Sequence, residues 1–474
     1  MSAPAGASAT SMKLLVELVG PGLAGRVDEA VRALRATKGT ARVVVDADGD
    51  GLNAGAILLR ALRREGRAMH LSGLRGLDAA AGASIRQDAP PVVITADLGS
   101  GQLDVLAPIA DSGTPVIILD HHVPPSPRSD SQLIQVNGHL FGVDGTLELC
   151  GASTSLLFAI GLNAANLDLA PNAIAGAIAD RQHVGGFRGA AKRIVEAAQS
   201  AGSVRVRRGL NLDGANVLDA LVRSNDPFLP GITGDEARAR QVLREVGAAP
   251  ETKVDDLTDE QARALASRLV TLLIGHGVDP VYAQEVTTLR VFVPGLGMTA
   301  KDLQALVNSA GRVGEHATAV AAALGQRWAL ERAQKAADDY RRQVRAGLLE
   351  LSANPPKKLR AVQVFDIDNA LVAAAVAGLG MVYLFDPEFP VVCFTPSGGG
   401  WKVSTRATRR QLERGVNFAT AARKAAEAVG GRGGGHPVAS GATIPLEGRE
   451  RFLALLDELV AEQVAAGKPV AGAY

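Results

Sequence analysis

The residues best able to do chemistry lie in four short polar clusters, each closing an apolar run. The first is DADGDG at Asp46–Gly51, which packs three carboxylates, Asp46, Asp48 and Asp50, into five residues. Like charges this close repel, and all three stay ionised cheaply only if cations sit among them. An all-oxygen ligand set selects hard divalent ions such as Mg²⁺ or Mn²⁺. The plainer reading is an Asp/Gly-rich turn capping a helix that starts near Asn53. An EF-hand loop fails, because no helix enters the turn and no Glu stands at its twelfth position. The second cluster is Asp120, His121 and His122. The chain has only eight histidines, so an adjacent pair beside a carboxylate is informative. Neutral imidazole is the commonest nitrogen ligand of metals, and a neighbouring aspartate can orient the ring. The third and fourth clusters are Asp97 in TADLGSG and Asp180 in GAIADRQ. Singly, each reads as a solvated end of an element. Together they supply ligands for two divalent ions sharing a bridging carboxylate. Such a pair, about 3.5–4 Å apart, activates water and clamps the attacking and leaving oxygens of a phosphoryl displacement.

These clusters need a scaffold that ends several strands along one edge. Arg42–Asp46 (RVVVD), Val92–Asp97 (VVITAD) and Pro115–Asp120 (PVIILD) are near-continuous apolar runs, expected of parallel strands covered on both faces. Each finishes on an aspartate. Asn53–Arg64 carries Ile57, Leu58, Leu59 and Leu62 on one side, so strand and helix alternate, and ligands bind outside the carboxyl ends of such strands. Helices are expected over Gly151–Leu162 and Pro171–Ala179. DPFLPGITGDEARARQVL, after Asn225, opens with prolines and turns helical and charged, which places a boundary there. One long connecting helix is expected over Thr318–Ser352, stopping before Pro355 and Pro356. Strands return at Ala361–Phe365, Met381–Phe385, Val391–Phe394 and Trp401–Ser404, followed by a helix over Asn417–Val429 and a glycine cluster, GGRGGGH, at Gly430–His436.

Composition bounds the rest. At 474 residues the chain is long enough for two or three domains and needs no metal to hold it together, so a metal would serve chemistry. With 47% hydrophobic residues but only 4% aromatic, the core must be built from Ala, Val, Leu and Ile. Lys plus Arg is 50 against 49 for Asp plus Glu, which excludes global basicity and leaves nucleic acid to a local groove. Arg205, Arg207 and Arg208, and Arg341, Arg342 and Arg345, are modest basic patches, read first as solvated faces. Cys150 and Cys393 form no CxxC pattern, and the expected compartment is reducing cytoplasm. No apolar run approaches the roughly 20 residues of a membrane span. Residues 1–12 read as a flexible leader outside the fold.

DADGDGLNAGAIL, TADLGSG, LDHH and GAIADRQ, in this order, resemble the four motifs of the DHH phosphoesterase superfamily, named for its Asp-His-His triplet. GGRGGGHPVASGA, with Ser404–Arg406 before it, resembles the DHHA1 domain that accompanies the subfamily of RecJ and the nanoRNases. NSAGRVG at Asn308–Gly314 is similar to the NAxGR element of RecJ-type nucleases. GAIADRQ with the following Gly186–Ala197 stretch, and SNDPFLPGITG, are most similar to archaeal RecJ-like proteins, including the GINS-associated nuclease. The resemblance implies an α/β fold: a leader (1–12), an N-terminal parallel-sheet DHH catalytic domain (13–225), a helical insert and connecting helix (226–352) and a smaller C-terminal α/β DHHA1 substrate-binding domain (353–474). It implies two Mn²⁺ or Mg²⁺ ions, the first among Asp46, Asp48 and Asp97 and the second held by Asp50, Asp97, His121 and Asp180, with Asp97 bridging. His122 would face the scissile phosphate, with Asp120 supporting the histidine pair. Many archaeal relatives carry histidine where Asp46 stands. Substrate contacts would come from Arg406, Gly433, Gly434, Gly435 and His436, and from Asn308 and Arg312.

The activity so implied is a metal-dependent phosphodiesterase removing nucleotides from single-stranded nucleic acid, on DNA in the 5′-to-3′ direction, in a replication or repair setting with GINS as partner and no membrane. Two rivals stand beside it. One is a nanoRNase-like enzyme acting on short oligoribonucleotides or dinucleotides. The other is a non-catalytic replisome scaffold of the same fold, which the presence of every expected carboxylate and both histidines disfavours.

Overall fold

The computed structural model describes residues 5–125, 128, 130–435 and 437–467. The chain divides into two compact units, one of residues up to Arg208 with Leu289–Asp338, the other of Gly209–Thr288 with the residues from Asp339 onward. Its elements run α1 (Ala9–Ala36), β1 (Ala41–Asp46), α2 (Gly49–Arg64), β2 (Met69–Leu74), α3 (Ala79–Gln87), β3 (Val93–Ala96), α4 (Leu103–Asp111), β4 (Val116–Asp120), β5 (Leu133–Asn137), α5 (Gly151–Leu162), α6 (Ala170–Ala179), α7 (Gly189–Ser200) and β6 (Arg205–Leu210). Then come α8 (Val217–Val222), α9 (Glu236–Glu245), α10 (Asp259–Gly275), α11 (Pro280–Ala283), β7 (Thr287–Val293), β8 (Met298–Thr299), α12 (Ala300–Arg312), α13 (His316–Ala323) and α14 (Arg327–Ala353). The chain finishes with β9 (Lys357–Lys358), β10 (Gln363–Asp366), α15 (Ala373–Tyr383), β11 (Val391–Ser397), β12 (Gly400–Arg406), α16 (Arg409–Glu413), α17 (Phe418–Glu427), β13 (Arg432–Gly435), β14 (Ala439–Pro445) and α18 (Arg449–Ala466).

The first unit is built on a five-stranded sheet of order β2-β1-β3-β4-β5, parallel throughout. Side chains alternate between two cores. Val43, Val45, Ile94, Ile117 and Leu119 join the helical core that includes α1, α2, α5 and α6. Val44, Val93, Val116 and Ile118 pack with residues of α3 and α4. Each fully buried side chain of this kind contributes about 1.5–3 kcal/mol, and covering both faces makes the strands apolar without alternation. The strand order turns outward in both directions from β1 and β3, the position at which an open α/β sheet holds its ligand. Val45 pairs with Ala96, and Ala96 with Leu119, so Asp46, Asp97 and Asp120 follow at one level across three neighbouring strands.

The second unit holds a six-stranded sheet of order β13-β14-β12-β11-β10-β9. Only β10 and β11 pair in parallel; the other neighbours are antiparallel. One face packs Val364, Phe394 and Ile444 with Phe418 of α17 and Phe452 of α18. The other packs Phe365, Val391 and Cys393 with residues of α8–α10, α14 and α15. Cys150 and Cys393 are both free and buried. Among the described residues no helix is long and apolar enough to cross a membrane.

Several expectations are corrected. The leader does not extend to residue 12, because α1 starts at Ala9 with the Ser8 side chain accepting the Ser11 N–H and Ser11 itself buried. The run Met381–Phe385 is not a strand. Met381–Tyr383 continues α15, whose Ala-rich approach from Ala373 makes the apolar stretch long enough for three helical turns. The helix expected over Thr318–Ser352 is two, broken around Gly325, whose φ of +76° ends α13. Of the region 226–352, residues up to Thr288 group with the second unit and Leu289–Asp338 with the first, and the chain passes from the first unit to the second after Arg208. Leu210, Phe228 and Leu229 belong to the second unit's core, which draws the preceding segment across. Within the glycine cluster, Arg432–Gly435 pairs with β14 as an edge strand.

Candidate metal centre

The DADGDG turn is shaped by its own carboxylates. Asp46 Oδ1 accepts the Ala47 N–H at 2.6 Å. Asp48 caps α2, its Oδ1 accepting from the Asp50 and Gly51 N–H groups at 3.0 and 3.1 Å. A Cβ on Gly51 would collide with the Asp46 carbonyl, so the turn requires glycine there. Asp50 points inward and is fully buried. Its Oδ2 and Oδ1 accept the Gly151 and Ala152 N–H groups, at 2.6 and 2.9 Å, from the first turn of α5. A buried carboxylate thereby meets the positive end of a helix dipole. Gly176 of α6 leaves room for it, since a Cβ there would overlap Asp50 Oδ1.

Asp97 follows β3 with φ of +63°, a left-handed conformation that a short polar side chain tolerates. It is 3% exposed, and the absent Cβ of Gly151 makes its space. His121 Nδ1 lies 2.7 Å from the Gly145 carbonyl oxygen. A carbonyl only accepts, so Nδ1 carries a proton and the ring turns its Nε2 outward. That nitrogen faces Asp97 Oδ1 at 3.2 Å and Asp180 Oδ2 at 3.3 Å. Asp180 ends α6, and Arg181 behind it has φ of +58°. Asp120 is fully buried and differently partnered. Its Oδ2 accepts from Ser100 N–H at 2.8 Å, while Oδ1 accepts from His121 N–H and His122 N–H and bonds His122 Nδ1, at 2.8, 3.3 and 2.8 Å. Asn137, at the end of β5, donates to Ser100 Oγ and the His122 carbonyl and fixes this arrangement.

Three overlapping ligand groups result: Asp46, Asp48 and Asp97; Asp50, His121 and Asp180; and Asp97, Asp120, His121 and His122. In each group, one candidate ligand atom per residue lies within 4.8 Å of the others. The donor set fits a divalent ion, because carboxylate oxygens of Asp46, Asp48, Asp50, Asp97 and Asp180 converge with one imidazole nitrogen of His121. Burial first, then neighbouring Asp48, raises the Asp46 carboxyl to about 7. Asp50 is raised by burial, Asp97 and Asp180 well above the usual range by burial followed by repulsion from Asp50 and Asp48. Asp120 goes the other way. Burial opposes it most strongly, yet the His122 bond and the charges of His122 and His121 hold it far below the usual range. Burial likewise depresses the His122 ring, and its bond to Asp120 more than reverses that. Asp120 Oδ1 and His122 Nδ1 stay hydrogen-bonded to each other beside the acidic cluster.

Asn308 and Arg312 are brought to the same place. Asn308 packs on Gly49, where a Cβ would stand 3.2 Å from the Asn308 Cβ, and Gly311 lies against the Ala47 carbonyl. Arg75, just after β2, donates to the Arg312 carbonyl at 2.9 Å. Arg406, Gly433, Gly434 and Gly435 belong to the second unit. Arg406 ends β12 and donates to the Thr405 carbonyl at 2.8 Å. Thr405 and Gly435 both pair with Ser440 of β14, so Arg406 lies one residue along from the level of Gly435. A Cβ on Gly433 would strike the Ala422 carbonyl of α17, Gly435 has φ of +135°, and Gly434 faces open space. His436 lies outside the described residues. Sequence reading missed Ser100, Asn137, Gly145, Gln182 and Arg75. Ser100 and Gln182 sit inside motifs it quoted, whereas Gly145 has no local signal.

The DHHA1 domain model matches residues 361–462. RecJ of Thermus thermophilus, solved in complex with Mn²⁺, has the same fold: TM-score 0.57 and 19% identity, over 95% of this chain and 59% of that one. The chain carries a DHHA1 domain and has the fold of RecJ. CDC45 of Entamoeba histolytica has a similar fold at TM-score 0.64 and 12% identity, covering 95% of this chain and 99% of that one. At such identities the likeness concerns the fold alone, and this chain spans about three fifths of the Thermus protein's length. An uncharacterized protein of Methanocaldococcus jannaschii is 28% identical over 438 residues, covering 90% of this chain and 94% of the relative.

Proposed function

We propose that the chain is a divalent-metal-dependent exonuclease that hydrolyses single-stranded nucleic acid from one end, acting on DNA in the 5′-to-3′ direction. The fold and acidic cluster carry the coarser statement, a phosphoesterase with a divalent-metal site. The observation that carries metal-dependent hydrolysis is the outward Nε2 of His121 facing Asp97 and Asp180, beside the Asp120–His122 hydrogen bond; the single strand, the preference for DNA and the direction rest on the resemblance to RecJ-type nucleases. Asp46, Asp48 and Asp97 would hold one metal, and Asp50, Asp97, His121 and Asp180 the second. Bound divalent ions supply Lewis-acid stabilisation of a phosphoryl group and a lowered pKa for water. Asp50, anchored on α5, fixes the depth of the second set. His122, its ring raised by the bond to Asp120, is placed to donate a hydrogen bond to a phosphate oxygen. Arg75 and Arg312 hold the adjacent backbone by charge, and Arg406, His436 and Gly433–Gly435 contact substrate from the second unit.

CDC45's similarity in fold favours a second reading, a replisome component that no longer hydrolyses, with GINS as partner in either case. Retention of all six metal-ligand candidates with His122 disfavours loss of activity. The buried, unpaired thiols fit a cytoplasmic setting. The test is incubation with Mn²⁺ and single-stranded DNA, RNA and a dinucleotide, labelled at either end. Mononucleotides released first from the 5′ end of DNA support the proposal. Preference for the dinucleotide makes it a nanoRNase-like enzyme, and no hydrolysis makes it a scaffold. Asp97→Asn with His121→Ala should abolish release while leaving the fold intact.

A further inference from the structure

We propose that Gln182 is a positioning residue for His121, acting through the Gly145 carbonyl, and that one turn, Asp180–Gln182, controls both nitrogens of this imidazole. The inference rests on the reading of His121 as a metal ligand. Gly145 oxygen accepts two bonds, from His121 Nδ1 at 2.7 Å and from Gln182 Nε2 at 3.1 Å. Both lone pairs of that carbonyl are therefore used. The amide can point only one way, since its oxygen turned to a carbonyl would repel. The left-handed Arg181 reverses the chain so that Asp180 meets Nε2 directly while Gln182 reaches Nδ1 through the shared oxygen.

The Gly145 loop is built for this. A Cβ on Gly145 would collide with the His121 carbonyl and the His139 ring, so the backbone approaches the histidine as closely as glycine allows. Glu148 N–H bonds the Asp144 carbonyl at 2.8 Å and Glu148 Oε2 accepts the Ala190 N–H at 3.3 Å, tying the loop to α7. Gln182 is 3% exposed, and its Oε1 is buried without a hydrogen-bond partner. An unmet buried acceptor costs free energy. A residue serving only to fill this space would be apolar; the retained amide serves the carbonyl. Without it, Gly145 oxygen loses one of two restraints, and the imidazole gains freedom to rotate and exchange its nitrogens.

The experiment uses the full chain with Gln182→Met, close in volume, and Gln182→Ala, which cannot overpack. Long-range ¹H–¹⁵N spectra of the metal-free protein report the His121 tautomer, EPR titration reports Mn²⁺ affinity, and thermal melting reports the fold. Expected are a mixed His121 tautomer and Mn²⁺ binding weakened by about 10- to 100-fold, the usual range for losing such a support. A wild-type tautomer and wild-type affinity in either folded variant overturn the proposal. So does lowered melting with affinity unchanged, the mark of a purely structural glutamine. Failure of the underlying site reading shows differently: the wild-type chain itself would then show no specific Mn²⁺ binding, or Asp97→Asn would bind Mn²⁺ as tightly as wild type.

Discussion

The carboxylates of one site titrate in opposite senses, and this divides their roles. The Asp46 carboxyl is raised to about 7, by burial and then by Asp48, whereas in the unfolded chain it titrates near about 3.9. Below that lower value both states hold the proton and the full stability is present. As pH rises the unfolded chain gives up its proton first, so the metal-free protein loses stability until pH passes about 7. Asp50, Asp97 and Asp180 are raised and add to the same trend. Asp120 is lowered, so its contribution is present above its unfolded value and is lost only in stronger acid. Melting with a chelator from about pH 5 to about pH 8 should show a falling Tm. Asp46→Asn should flatten the fall, and saturating Mn²⁺ should remove it, because the cation replaces the proton. A Tm that rises over this interval contradicts the proposed charge balance. At this scale the sequence was readable wherever chemistry repeats a residue type: Asp46, Asp48, Asp50 and the His121–His122 pair announce themselves by spacing. Gln182 and Gly145 do not, because an amide bonded to a backbone carbonyl leaves no pattern along the chain.

Among the elements, α5 does more than cover the sheet. Every residue of Gly151–Leu162 is buried, so periodicity could locate the helix but not the face it turns to the site. Its first two N–H groups hold Asp50, and the bare Cα of Gly151 admits Asp97. Gly151→Ala would drive a methyl group into the Asp97 backbone and side chain. Overpacking of this kind costs about 1–3 kcal/mol. The displaced helix terminus should also release Asp50, so Mn²⁺ affinity should fall alongside Tm. Calorimetry with and without Mn²⁺ separates the two effects; a variant that loses stability but binds Mn²⁺ as before would show that α5 is merely packing. The strands ending in Asp46, Asp97 and Asp120 were legible because both faces are buried and the runs are uninterrupted. Met381–Phe385 was misread because a short apolar run has no period that distinguishes strand from helix, and the strand Arg432–Gly435 was not legible because a glycine tract has no side chains to report its pairing. Position 433 is glycine because α17 approaches its backbone too closely for a Cβ.

Over the whole molecule, the near balance of 50 basic and 49 acidic residues says nothing of where the acidic cluster lies. The six metal-ligand candidates all belong to the first unit, and Arg406 with the β13 glycines to the second. Domain membership was the least legible feature, since it is set by which core captures Leu210 and Phe228 rather than by composition shifts along the chain. On the proposed reading the two roles are separable. Arg406→Ala removes a cation from the unit that carries none of the six metal-ligand candidates, so Mn²⁺ affinity and Tm should stay near wild type. If Arg406 contacts a phosphate, KM for a single-stranded oligonucleotide should rise about 10- to 100-fold, the worth of a charge-assisted hydrogen bond, with kcat little changed. The salt dependence of binding discriminates further. Loss of one phosphate contact lowers the slope of log affinity against log salt by about one, equally for every sequence. An unchanged slope with unchanged KM would remove Arg406 from the substrate path. A fall in kcat with KM held constant would instead tie the second unit to the chemical step, and the separation of grip from hydrolysis would not stand.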